Sequence, residues 1–212
     1  MLKYEYLRAV PLPEDLTYKD IFKALQDTQN FFAMIRKNAG VNLSTIIQAN
    51  NFSGIVSNVF TKKLSDVSIY HSYDDQRYPD LMHATKKIGL EVKAANKPLK
   101  GGEGHNGHSG WHIVVCYRIL DTGDIEFIQV EIADLIGYEC DNADWKYQGS
   151  HRNNNNSQRT ETYVTTKIGT AKLRDGTVYL NPNFVDITPA LLNNRKKIAN
   201  ELPIPPFSPF AD

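Results

Sequence analysis

The sequence predicts an α/β (α+β) fold with a central mixed sheet flanked by helices. Apolar residues recur at helical spacing in the first third. The period then shortens into a series of strand-like runs, and a last helical stretch follows Pro189.

Residues 17–37 read as an amphipathic helix, with Ile21, Phe22, Leu25, Phe32 and Ile35 on one face. Asp15 or Thr17 is placed to cap its start and Gly40 to end it. Residues 43–64 are helical again, with a break expected at 50–53 and with Ile55, Val56, Val59, Phe60 and Leu64 buried. Short strands are expected at 81–84 and 88–95 with a turn at 85–87, then a β-branched and aromatic strand over 111–120. A turn at 121–124 leads to a strand at 125–132. Later strands are expected at 162–168 and 177–180, and a helix at 189–200 with Pro189 in its first turn.

A length of 212 residues fits one domain, with an N-terminal helical part over 1–65 and the chemistry in 66–200. Lys plus Arg and Asp plus Glu are both 24, which argues against a nucleic-acid coat protein but not against an enzyme with one basic cleft. The charges are segregated. Residues 82–118 carry five Lys and one Arg against two acids, 121–144 carry eight acids and no Lys or Arg, and 145–174 carry six Lys or Arg against one acid. Such a pattern is either surface charge or two basic arms along a phosphate backbone. Cys116 and Cys140 have no CxxC spacing, so free thiols are expected. With neither an apolar leader nor a membrane-length apolar run, the expectation is a soluble cytoplasmic protein without membrane contact.

Pro79-Asp80 and Glu91-Val92-Lys93 carry the chemistry. In a strand, residues two apart share a face. Glu91 and Lys93 therefore project together, Val92 turns to the core, and Asp80 can reach them across a hairpin. Asp80, Glu91 and the Val92 carbonyl make a hard oxygen site suited to Mg²⁺, with Lys93 beside the attacking water. A bare (D/E)xK triplet arises by chance about once in a chain of this size. The second one, Asp144-Trp145-Lys146, lies in an acidic stretch without an upstream Pro-Asp. The plain alternative for Glu91 and Lys93 is an ion pair exposed on an edge strand.

These residues resemble the PD-(D/E)XK nuclease superfamily of restriction and DNA-repair nucleases. The resemblance implies a restriction-endonuclease-like sheet, with Asp80 and Glu91 as metal ligands and Lys93 as the catalytic lysine. A further likeness, to the PvuII-type restriction endonucleases, runs from Glu91 to about Lys172. It rests on Gly104-His105-Asn106-Gly107-His108, the strand from Trp111 to Tyr117-Arg118, then Trp145, His151, Asn155-Asn156 and Tyr163-Val164. It implies that His108, Asn155 and Asn156, with His105 and His151, contact DNA and read base edges; the basic arms, apart from the likeness, put Lys97 and Lys100 against its backbone. The chain lacks that family's segment between the histidine loop and the Trp strand, so the recognised sequence does not transfer.

The resulting expectation is a Mg²⁺-dependent type II restriction endonuclease cutting double-stranded DNA as a homodimer. The alternatives are a structure-specific repair nuclease or junction resolvase, and a non-catalytic DNA-binding module. His105, His108, His112 and Cys116 could serve that module as a zinc site, although their spacing matches no closed zinc pattern. Taken alone, the Asn run at 153–156 reads as a loop tip.

Overall fold

Thr17 starts the first helix. Its hydroxyl accepts the Asp20 N–H, and the Asp20 carboxylate accepts the Thr17 N–H, a reciprocal capping box. The helix, α1 (Tyr18–Ala39), ends at Gly40 with φ 65°. A one-turn helix α2 (Leu43–Ile46), capped by Asn42, precedes α3 (Ala49–Val67). The break thus falls at Ile47 and Gln48, both extended, and not at 50–53. Those residues fall in the opening turns of α3. The computed structural model describes residues 2–73, 77–100, 103–104, 107–149 and 162–211.

The main sheet contains β1 (Tyr70–Ser72), β2 (Leu81–His83), β3 (Gly89–Ala95), β5 (Gly110–Ile119), β6 (Ile125–Leu135) and β9 (Thr177–Leu180), in the order β1-β2-β3-β5-β6-β9. Only β3 and β5 pair in parallel, so the sheet is mixed, as expected. A small second sheet joins β4 (Glu103–Gly104), β8 (Tyr163–Thr165) and β7 (Trp145–Tyr147). The strand expected over 162–168 stops at Thr165. Thr166 then caps α4 (Lys167–Asp175) by accepting the Gly169 N–H. The closing helix, α5 (Pro189–Lys196), is four residues shorter than the expected span, and Thr188 caps it.

Alternation along the strands assigns the two faces of the sheet. Leu90, Val92, Ile113, Val115, Val130 and Ile132 point to the main core, shared with Ile21, Leu25, Val56 and Phe60 of α1 and α3. Glu91, Lys93, His112, Val114, Cys116, Gln129 and Glu131 lie on the opposite face. There Leu173 of α4, Trp145 and Tyr163 pack on Val114, Ala133 and Leu135. Among the described residues no helix is long and apolar enough to cross a membrane. Both cysteines are free thiols, Cys116 buried and Cys140 exposed.

Glu131 is buried on that second face, where it accepts an N–H from Gln129 at 3.0 Å. Burial pushes its carboxyl up to about 7, against the opposing charge of Arg174. Between an ordinary carboxylate value and pH 7 the folded protein therefore keeps a proton that the unfolded chain has released. Stability must fall as pH rises through that window. Glu131→Gln should be neutral at acidic pH and stabilising by roughly 2–3 kcal/mol at pH 8. Thermal melts at both pH values measure this, and an equal effect at both would show that Glu131 does not titrate with folding.

Candidate active site

The hairpin register places the carboxylates. Leu81 pairs with Leu90 and Met82 with Gly89, so Asp80 stands opposite Glu91. Pro79, which follows a cis Tyr78–Pro79 peptide, closes directly over Gly89. A Cβ at Gly89 would lie 2.4 Å from Pro79 Cγ. The Asp80 N–H donates to Glu91 Oε2 at 3.3 Å, and the Val92 N–H donates to Asp80 Oδ2 at 2.8 Å. Lys93 Nζ forms a close ion pair with Glu91 Oε1. The Glu91 side chain is only 7% exposed and that of Lys93 32%. β3 lies inside the sheet, between β2 and β5. The reading of Glu91 and Lys93 as an exposed edge-strand ion pair is therefore excluded, and Glu91 does not face open solvent.

Asp80 carries the electrostatic cost of this arrangement. Burial, and next the Glu91 charge, push its carboxyl up to about 6, against the Val92 N–H and the Lys93 ammonium. Tyr78 is pushed up to about 12 by burial and then by Glu91, Asp80 and Asp134, and its hydroxyl donates to the Ser109 carbonyl at 2.9 Å. His112 sits beside Glu91 in the strand register. Burial lowers its pKa, and its Nδ1 donates to the Gly110 carbonyl at 2.8 Å.

Two close carboxylates, one of them pushed toward protonation, form a donor set that a divalent cation would relieve. The Val92 amide faces the β2 edge, so its carbonyl opens to the same edge beside them. These hard oxygen donors fit Mg²⁺. Among the described residues no group of three or more His, Cys, Asp or Glu side chains is arranged to hold a metal. Water and substrate oxygens would therefore have to complete the shell. The zinc alternative fares worse. His112 and Cys116 are four residues apart on one extended strand, about 13 Å, and burial pushes the Cys116 thiol up to about 12.

The second triplet is structural. Asp144 is fully buried, accepts the Ile136 N–H at 2.8 Å and pairs with Lys172 at 2.6 Å. Lys97 and Lys100 are exposed beyond the end of β3. His108 is also exposed, and its ring lies 4.7 Å from that of Tyr78, so the structure joins it to the carboxylate site. His105, His151, Asn155 and Asn156 lie outside the described residues.

Sequence reasoning did not find the row of rings running from the site. After Tyr78 and His108 come Tyr138 at 6.3 Å, Tyr163 stacked on Tyr138 at 4.3 Å, and Tyr147 at 5.3 Å. Gly107, with φ 62°, lets the chain pass under Tyr163, since a Cβ there would come within 2.7 Å of the ring. Tyr78 carried one usable signal, its place next to Pro79-Asp80.

No protein-family model matches the chain, and no curated protein or solved structure matches it either.

The packing of Pro79 on Gly89 yields a test of how the site is positioned. Gly89→Ala should shift Pro79 and Asp80, lower stability by about 1–3 kcal/mol and weaken any metal-dependent activity. Thermal melts and activity assays measure the two effects. A variant unchanged in both would show that Gly89 does not set the position of Asp80.

Proposed function

We propose that the protein is a Mg²⁺-dependent DNA endonuclease with Asp80, Glu91 and Lys93 as its catalytic residues. The observation that carries this reading is the meeting of buried Glu91 and its neighbour Lys93, both on an interior strand, with half-buried Asp80 from the paired strand's start, its carboxyl pushed toward protonation. Charged groups withdrawn from water in this way are costly unless they have partners or a task.

A cation held by Asp80, Glu91 and the Val92 carbonyl would supply Lewis-acid charge to the scissile phosphate and acidify a bound water. Lys93 holds its ammonium against Glu91, where it can orient the attacking water and offset negative charge that builds on the phosphoryl oxygens. Tyr78, anchored on Ser109, walls the site and stays protonated. Water attacks phosphorus and gives up a proton to solvent, the P–O bond to the leaving nucleotide breaks, and the departing oxygen takes a proton from solvent.

The finer reading is a type II restriction endonuclease acting on double-stranded DNA as a homodimer. A two-fold axis would present two such sites to a palindrome. Lys97 and Lys100 would meet the DNA backbone. His105, His108, His151, Asn155 and Asn156 would contact DNA and supply base readout. Incubating plasmid DNA with Mg²⁺ or EDTA tests this. Discrete fragments in Mg²⁺ alone are expected. Cutting confined to branched or damaged DNA would replace it with a repair nuclease, and binding without cutting would replace it with a DNA-binding module.

A further inference from the structure

Leu99 has φ 56°, a left-handed conformation that bulky side chains rarely adopt. Two side chains hold it there. The Leu99 N–H donates to Gln129 Oε1 at 2.8 Å, and Arg174 Nε donates to the Leu99 carbonyl at 2.6 Å. Strain sustained by surrounding contacts often marks a functional segment. Here it fixes the next residue, Lys100, at the wall of a groove of about 550 Å³.

Lys100, Lys146, Lys167, Arg174 and Lys197 line that groove, and among the described residues neither Asp nor Glu does. Arg195 also reaches its wall but is buried and committed to Asp175 at 2.7 Å. The chain has zero net charge, so this concentration of cations is local. The cations come from four places: the segment after β3, β7, both ends of α4, and the residue after α5. Lys167 and Arg174 stand two turns apart, about 10 Å along α4. One phosphate group is too small to meet both, whereas a chain of phosphates can. The helix that carries them packs on the same face of the sheet as Glu91 and Lys93.

We propose that this groove binds the phosphodiester backbone of DNA away from the cleavage site. The choice of ligand rests on the nuclease reading above; the groove, its charge and its strained wall do not.

The test is fluorescence anisotropy of a labelled duplex in EDTA, so that no cutting occurs, over a series of salt concentrations. Lys146, Lys167 and Lys197 are exposed and lie outside the catalytic site. Their triple Ala variant should bind roughly tenfold or more weakly, and its slope of log affinity against log salt should flatten by about 2–3, near 0.9 per lost phosphate contact. A control with the same change in net charge, Lys19→Ala, Lys23→Ala and Lys62→Ala on α1 and α3, should leave the slope unchanged. An unaltered slope in the groove variant, or equal losses in both triples, overturns the proposal. So does saturation of the groove by inorganic tripolyphosphate that duplex DNA cannot displace, which would mark a small-phosphate site. The two readings fail separately. Plasmid left intact in Mg²⁺ with the groove effect present removes the nuclease and keeps the groove, and the reverse pattern removes the groove alone.

Discussion

Asp80→Asn and Glu91→Gln are each expected to reduce Mg²⁺-dependent DNA cleavage by roughly 10³-fold or more, since each removes a charged oxygen donor from the cation. Asp80→Asn should also raise the melting temperature of the metal-free protein at neutral pH. Its amide oxygen can still accept the Val92 N–H, while the half-buried charge opposed by Glu91 is gone. Activity lost with stability gained is the mark of a residue kept for function. The pH dependence follows in sign. With the Asp80 carboxyl at about 6 in the folded protein, protons compete with the cation below that value. Metal affinity and activity should rise as pH increases through 6 and level off above 7. Metal-free stability should fall as pH rises from an ordinary carboxylate value to 6. Either variant retaining near-full activity would remove the assignment of these two residues.

The second large effect is expected at Lys93. Removing an ammonium that orients water and offsets developing charge commonly costs about 10²–10³ in rate. Lys93→Ala should lose that much turnover while binding duplex DNA in Ca²⁺ nearly as well as the parent. It should also lose stability, because the Glu91 side chain, 7% exposed, is left without its cation. Affinity falling in step with cleavage would instead make Lys93 a simple phosphate contact.

Local chemistry in the sequence was a sound guide wherever short-range rules decide structure. Thr17 and Asp20 announce the start of α1, Gly40 announces its end, and the apolar run around Glu91 and Lys93 announces a buried strand. The proximity of Asp80 to Glu91 was legible because a short hairpin turn leaves little freedom in register. Other features depend on distant contacts. β1 and β7 have three residues each, too few to show a period. The aromatic and β-branched run Tyr163-Val164-Thr165-Thr166 hides the cap of α4, which becomes visible only once Ala171 and Leu173 are buried against the sheet. Glu131 reads as an ordinary polar position in a strand, because nothing local shows that α4 covers the second face. The ring row from Tyr78 to Tyr147 and the basic groove join residues up to about a hundred positions apart, so no spacing rule could assemble them.

Whether Asp80, Glu91 and the Val92 carbonyl hold a divalent cation is decided by anomalous scattering from crystals soaked in Mn²⁺. The expected result is one strong peak about 2.0–2.3 Å from an oxygen of each carboxylate and from the Val92 carbonyl, absent from crystals of Asp80→Asn. A peak at other residues in protein that cuts DNA, or an empty site under conditions where cutting occurs, would contradict it.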